Sequence, residues 1–311
     1  MRIAFLGTPE FAVGSISALA DAGHEVACAV CQPDRPAGRG RALREPAVKR
    51  WARERGIPVL QPEKVRDGRL AADLGRLAPD CLAVAAYGRI LGKDLLELAP
   101  HGAVNVHGSL LPRHRGAAPI QWAVAEGERE TGVTIMQMDE GLDTGDVLLQ
   151  RALPIAPEDT AEALSPRLAL LGGEALVEAL RLMERGESVP VPQDASRATL
   201  APILEKAHGR ADWSLPAQRL RDRLRGFSPW PGLWTTLDGK VVKILAADAV
   251  QAETGPGGRP GSARKVAGRG FAVSCGSGAI LVLEVQPEGK RRQGALEFLN
   301  GLRRDAFTLG T

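Results

Sequence analysis

Short apolar runs alternate with stretches of helical period through the first half of the chain. Strand-like runs cover residues 2–6, 25–31, 57–60, 81–86 and 103–107, and helical patterns cover about 10–21, 43–55, 68–77 and 118–126. Such alternation predicts a parallel sheet with helices on both faces. Two further runs, 132–138 and 147–153, can pair as an antiparallel edge, and a helix from about Thr160 to Arg185 closes the unit, with Asp159 or Thr160 as its cap. The expected fold class is therefore α/β, with a Rossmann-like, doubly wound N-terminal domain over residues 1–189.

Periodicity fades after Gly186, where Pro190, Pro192 and Pro202 interrupt the pattern, and residues 190–209 read as a linker. Beyond it, Asp212 to Phe227 suggests one helix. Short β runs at 233–236, 240–247, 271–274 and 279–285 follow, separated by Gly and Pro clusters, so residues 210–311 read as a small β barrel. A chain of 311 residues suits two such cores, because single cores usually stop growing near that size.

Charge sharpens the division. Residues 1–206 hold 24 Lys and Arg against 28 Asp and Glu, whereas residues 207–311 hold 16 against 9. A basic barrel suits a polyanion held by its phosphates, a solvated surface being the other reading. Trp213, Trp230 and Trp234 in this part are expected to be packing anchors rather than base-stacking platforms. No run approaches the roughly 18 apolar residues that a membrane span needs. A strand pattern starting at Arg2 leaves no room for a targeting peptide, so a cytoplasmic protein without a membrane partner is expected. Cys28 and Cys31 have a redox-like spacing, but they fall in one strand pattern and face opposite sides, which predicts buried structural thiols.

The chemistry concentrates in Ala103-Val-Asn-Val-His-Gly-Ser-Leu-Leu-Pro112. Asn105 and His107 lie two apart on a strand, so their side chains share a face at its carboxyl end, where open α/β sheets place ligands. Further on, Gly141-Leu-Asp-Thr-Gly-Asp146 supplies Asp143 in a glycine-flanked loop that can reach the first two. A dinucleotide-dependent dehydrogenase is excluded at the first turn, because Gly7-Thr-Pro-Glu10 lacks the G-x-G-x-x-G that a pyrophosphate requires. A pure RNA-binding module would leave Asn105, His107 and Asp143 without a purpose. The stretch Arg35-Pro-Ala-Gly-Arg39-Gly-Arg41-Ala-Leu-Arg44 sets four arginines and no acid among Gly and Pro, and guanidinium forks suit phosphates and guanine edges.

Asn105, His107 and Asp143, in those motifs and that order, resemble the formyltetrahydrofolate-dependent formyltransferases and hydrolases. Phe5-Leu-Gly-Thr-Pro-Glu-Phe-Ala12, Ala85-Ala-Tyr-Gly88, Arg115-Gly-Ala-Ala-Pro-Ile-Gln121, Asp212-Trp-Ser214 and Pro229-Trp-Pro-Gly232 extend the likeness over nearly the whole chain, and the branch acting on methionyl-tRNA is the one it looks most like. That resemblance implies an oligonucleotide-binding-like barrel and transfer of a formyl group from 10-formyltetrahydrofolate to the α-amino group of initiator methionyl-tRNA. Asn105, His107 and Asp143 would be catalytic, with no metal. Tyr87, Gly88, Ser109, Leu110, Leu111 and Pro112 would line the folate site, and Arg35, Arg39, Arg41 and Arg44 would meet the tRNA, Arg39 at the acceptor stem. A monomer is expected. A formyltetrahydrofolate hydrolase or a sugar-nucleotide N-formyltransferase is the alternative. The chain departs from the family at Leu200-Ala-Pro-Ile203, where a Tyr-Ala-x-Lys pattern is common, and Lys206 or Arg210 is expected to supply the missing charge.

Overall fold

The apolar runs of the first half become the strands of one sheet. In the computed structural model, which describes residues 1–37, 42–250 and 258–310, β1 (Arg2–Gly7) leads through α1 (Glu10–Asp21) to β2 (Glu25–Val30). A two-stranded hairpin of β3 (Arg35–Ala37) and β4 (Ala42–Arg44) precedes α2 (Ala47–Glu54), β5 (Val59–Leu60), α3 (Arg69–Arg76) and β6 (Cys81–Ala85). The short α4 (Lys93–Leu96), β7 (Ala103–His107), α5 (Pro119–Ala125), β8 (Glu130–Gln137), β9 (Val147–Pro154) and α6 (Ala161–Glu184) follow. The pattern at 43–55 predicts one helix; instead β4 takes its first residues, and Pro46, which has no N–H to give to a preceding turn, stands where the helix begins.

The strand order is β5-β2-β1-β6-β7-β8-β9. The strands from β5 to β7 pair in parallel, whereas β8 runs antiparallel to β7 and β9 antiparallel to β8, which is the expected edge. The chain order reverses between β1 and β6, so the loops leaving β1, β6 and β7 share one carboxyl edge. Strands buried on both sides supply the core, with Ile3, Phe5, Leu6, Leu82 and Val104 at 0 % exposure. Helix α6 starts as expected, with the Thr160 hydroxyl accepting from Ala163 N at 3.1 Å. It packs close to β7: a Cβ on Gly172 would stand 2.8 Å from Val106 Cγ1, so only glycine fits without displacement.

The described residues form two compact units, the first within 1–119, 130–154 and 164–202, the second within 120–129, 155–163 and 203–311. Residues 190–202, which the sequence pattern assigns to a linker, thus belong to the first unit's contacts. In the second unit α7 (Ala217–Gly226) precedes β10 (Leu233–Leu237), β11 (Lys240–Val250), β12 (Ser262–Val266), β13 (Gly270–Ser274), β14 (Ala279–Pro287), β15 (Gln293–Gly294), α8 (Ala295–Leu302) and β16 (Ala306–Thr308). The strands form an antiparallel sheet in the order β10-β11-β14-β13-β12-β16, with β15 beside β14. Gly310 N donates to Thr236 O at 2.8 Å, bringing the chain beyond β16 back to β10, as a half-closed barrel requires. Strands β12, β15 and β16 and helix α8 escape the sequence pattern because none exceeds eight residues.

Trp213 is a packing anchor as expected, buried with Leu220, Leu233, Phe271 and Phe298 and donating to Thr235 Oγ1 at 3.3 Å. Trp234 is half-buried and donates to Lys206 O at 2.9 Å. Trp230 differs from the expectation: it lies in the proline-flanked turn before β10 and is 55 % exposed. All four cysteines are free and buried, and burial pushes the thiols of Cys28, Cys31 and Cys275 up to about 11 and that of Cys81 up to about 12.

Candidate active site

Strand β7 delivers Asn105 and His107 to the carboxyl edge. It is clamped between β6, where Val84 faces Asn105, and β8, where Met136 faces Asn105 and Thr134 faces His107. Asn105 is half-buried, and among the described residues its amide has no hydrogen-bond partner, so it remains free to donate. His107 is 5 % exposed. Its Nε2 lies 2.9 Å from the carbonyl oxygen of His114, and because a carbonyl only accepts, Nε2 carries the proton. In the neutral ring Nδ1 then holds the lone pair, and it faces Asp143 Oδ2 at 3.7 Å.

Two acceptors thus converge on one position, too far apart for a direct hydrogen bond and well placed to compete for a proton. Burial lowers the affinity of His107 for that proton below the ordinary histidine value, and the Asp143 carboxylate and the His114 carbonyl oppose the effect less strongly. The ring is therefore neutral near pH 7. The His114 carbonyl thus holds one nitrogen of the ring, and Asp143 faces the other, open nitrogen.

The loop between β8 and β9 carries Asp143 back toward β7. Asp143 has φ +52°, a left-handed conformation that costs a non-glycine residue about 1 kcal/mol or more. It is held from several sides. Gly116 N donates to Asp143 Oδ2 at 2.8 Å. Within the loop, Asp139 accepts from Thr144 Oγ1 at 2.7 Å and from Gly141 N at 3.0 Å. Gly145 passes so close to β8 that a Cβ there would stand 1.8 Å from Gln137 O.

Residues 108–114 form the facing loop, with a cis bond at Leu111-Pro112. Ser109 is 1 % exposed and its hydroxyl donates to Arg113 O at 2.6 Å, so the side chain braces the loop. Thr134 Oγ1 donates to Ser109 O at 2.7 Å and accepts from Leu111 N at 3.0 Å and from Gln150 Nε2 at 2.9 Å. Leu111 is 4 % exposed, which leaves the half-buried Leu110 and Pro112 as the apolar surface this loop offers a flat ligand.

Tyr87 and Gly88 leave β6 on the same edge. The Tyr87 ring is 2 % exposed and packs with Leu6, Val30, Leu82 and Leu91, and burial pushes its hydroxyl up to about 12. Its ring is therefore a core group, and the backbone is what this segment can present. Gln32 Nε2 takes the carbonyls of Tyr87 at 2.9 Å and Gly88 at 3.3 Å. The first turn, at Thr8, is tied to the same loop, with Thr8 Oγ1 donating to Tyr87 O at 3.3 Å.

The arginine segment is the β3–β4 hairpin, in which Arg35 pairs with Arg44. Both are exposed, and neither has an acid partner among the described residues. The neighbouring acids are already engaged: Lys49 binds Asp34 at 2.6 Å, which holds that carboxyl below its usual range, and Arg53 binds Glu45 at 2.8 Å. Arg39 and Arg41 lie outside the described residues. No group of three His, Cys, Asp or Glu side chains that could hold a metal ion occurs among the described residues.

Sequence reading misses the support of this site. Thr134 and Gln150 lie on the antiparallel edge strands, and Gln193 and Thr199 lie in the proline-broken stretch after α6. Local pattern carries no trace of these contacts, since each partner stands at least 16 residues away along the chain.

A doubly wound sheet with Asn, His and Asp meeting at its carboxyl edge, followed by an antiparallel half-barrel, is the plan of one enzyme class. A family model described as formyl transferase matches residues 1–180, and one described as formyl transferase, C-terminal domain, matches 203–303. The chain belongs to the formyl transferase family. Within it, the methionyl-tRNA formyltransferase of Anaeromyxobacter dehalogenans (strain 2CP-1) is 70 % identical over the full length of both chains. That of Myxococcus xanthus is 53 % identical over 96 % of this chain and 95 % of its own, and that of Geobacter sulfurreducens 48 % identical over 99 % and 96 %. These relatives place the chain in the methionyl-tRNA formyltransferase branch. Among solved structures, the sugar 3N-formyl transferase WlaRD superposes with a TM-score of 0.66 at 15 % identity, covering 94 % of this chain and 99 % of that one. HypX from Aquifex aeolicus, in complex with tetrahydrofolic acid, gives 0.64 at 20 % identity over 98 % of this chain and 48 % of its own. Both likenesses are likenesses of fold.

Proposed function

We propose that the chain transfers a formyl group from 10-formyltetrahydrofolate to the α-amino group of initiator methionyl-tRNA. The observation that carries this reading is the open proton position between His107 Nδ1 and Asp143 Oδ2, beside the unpartnered amide of Asn105. The Asn105 amide donates to the formyl oxygen as charge develops during attack by the amine, the kind of prearranged donor whose removal typically costs about 10²–10³ in rate. The amine must lose a proton and N10 of the folate must gain one. His107 Nδ1 accepts the first and returns it to N10, while the Asp143 carboxylate stabilises the imidazolium formed between the two steps. The neutral resting ring supports this order, since a ring already protonated could not accept. The acceptor amine is itself the nucleophile, so no covalent enzyme intermediate is required.

In this reading the folate lies against Leu110 and Pro112, with the buried Leu111 backing the loop, Ser109 stiffening it and the backbone at Tyr87 and Gly88 closing the other side. Arg35, Arg39, Arg41 and Arg44 meet the acceptor end of the tRNA, and the basic half-barrel meets its backbone. The domain limits proposed from the sequence, a catalytic part to residue 189 and a basic barrel from 210, follow the same division of labour.

The test is formyl transfer from 10-formyltetrahydrofolate to charged initiator methionyl-tRNA, with charged elongator methionyl-tRNA and water as controls. Transfer to the initiator alone is expected. Formate release without transfer would recast the chain as a hydrolase and leave the arginine hairpin without a task.

A further inference from the structure

The stretch after α6 holds both backbone points on which the His107–Asp143 pair depends. Gln193 uses the two ends of its amide at once. Nε2 donates to the carbonyls of Asp143 at 3.0 Å and Gly145 at 2.7 Å, and Oε1 accepts from Arg115 Nη2 at 2.7 Å and Nε at 3.1 Å. Six residues on, Thr199 Oγ1 accepts from His114 N at 2.8 Å and Thr199 O from Arg115 N at 2.8 Å, and Ala201 N donates to Arg115 O at 2.7 Å. These bonds end on the segment 114–116, whose His114 carbonyl orients the imidazole and whose Gly116 amide holds the Asp143 carboxylate. His114 and Asp143 both lie in left-handed conformations, at φ +59° and +52°, which persist only where the surroundings over-determine them.

We infer that Gln193 is a positioning residue for the formyl transfer proposed above, fixing the Asp143 loop against the segment that orients His107. The inference rests on that reading of the reaction. Gln193 touches no reacting atom; it links the two loops that carry the pair, and it does so with four hydrogen bonds from one side chain. A glutamate in its place would keep the oxygen facing Arg115 but lose both N–H donors to the Asp143 loop.

The experiment compares Gln193→Leu and Gln193→Glu with the wild-type chain, alone and combined with Asp143→Asn. Both single variants are expected to lower kcat about ten- to a hundredfold, the usual consequence of displacing a catalytic group by about 1 Å, with each KM within about twofold and Gln193→Glu no better than Gln193→Leu. In the Asp143→Asn background Gln193→Leu is expected to cost less than about twofold, because residues acting through one another are not additive. Additive losses, a change confined to KM, or rescue by glutamate would overturn the inference.

Histidine NMR provides a readout without turnover. The charged group facing His107 is Asp143, and the His114 carbonyl occupies its other nitrogen. Withdrawal of the carboxylate in Gln193→Leu should lower the titration midpoint of His107, and should leave it unmoved in the Asp143→Asn background. An unmoved midpoint in Gln193→Leu itself would overturn the positioning role. If the wild-type chain formylates no methionyl-tRNA, the proposed reaction fails, and the titration still decides whether Gln193 places Asp143.

Discussion

Among the described residues each unit holds a pair of ionisable side chains with little exposure, and the two pairs are built differently. In the second unit Asp222 and Arg225 have side chains 5 % and 11 % exposed and stand 2.7 Å apart on one face of α7. Gln218 adds a bond to the same Asp222 oxygen at 3.0 Å, and Arg225 donates to Asp159 O at 2.6 Å. In the first unit His107 and Asp143 are 5 % and 14 % exposed, yet they stand 3.7 Å apart with no proton between them. The first arrangement joins its two charges directly, with the buried Arg225 Nε left without a partner, and serves the fold. The second leaves a proton position open, which costs stability and is what a proton-transferring site needs.

The strongest test of that contrast removes one partner of the closed pair. Asp222→Leu strands a buried guanidinium and should lower the unfolding free energy by about 3–5 kcal/mol, with much of the loss recovered in Asp222→Leu/Arg225→Met. Urea unfolding of the three chains measures both effects. A loss under about 1 kcal/mol would mean that the closed pair does not hold the second unit together.

Asn105→Ala should show the opposite profile. Its amide has no partner to abandon, so stability should change by less than about 1 kcal/mol while formyl transfer falls about 10²–10³-fold. A matching loss of stability would make Asn105 a structural residue.

Thr134→Val falls between the two. It removes a fully buried hydroxyl with three hydrogen bonds and leaves Leu111 N and Ser109 O without that partner, which should cost about 1–3 kcal/mol. The accompanying loss of folate affinity, read by binding titration, distinguishes loop bracing from general destabilisation.

Acid should affect the open pair by a smaller, graded amount. His107 has a folded affinity for protons below that of an exposed histidine, whose reference value is roughly 6.5. Above that pH neither state holds the proton and the group contributes nothing. As pH falls below it, the unfolded chain takes up a proton that folded His107 refuses, so stability falls until the folded ring also protonates. His107→Asn should remove that part of the slope below about pH 6.5 in chemical denaturation; an unchanged slope would place the titration elsewhere.

Much of this arrangement is legible before folding. The five parallel strands and the long α6 follow from apolar periodicity, which is local and is strongest in β1, β6 and β7, whose residues are nearly all buried. Asn105 and His107 share a face because they lie two apart on a strand. Tyr87 and Ser109 show where such reading ends: their positions beside the edge are legible, but that the ring turns into the core and the hydroxyl into its own loop depends on packing. Residues 190–202 are the clearest case. Pro190, Pro192 and Pro202 erase any period, and so the stretch looks like a connection, yet its hydrogen bonds run to residues 112–118 and 143–147.

The amino-acid sequence by itself determined the alternating architecture, the basic second unit and the polar trio, because each depends on residue type and spacing alone. Only the tertiary structure decided which nitrogen of His107 is open, that the His114 carbonyl holds the other, and that Gln193 links the loop at 143–145 to Arg115. Those features arise from contacts between segments as many as 85 residues apart, whose meeting is set by how the sheet stacks its edges. No local periodicity encodes that distance.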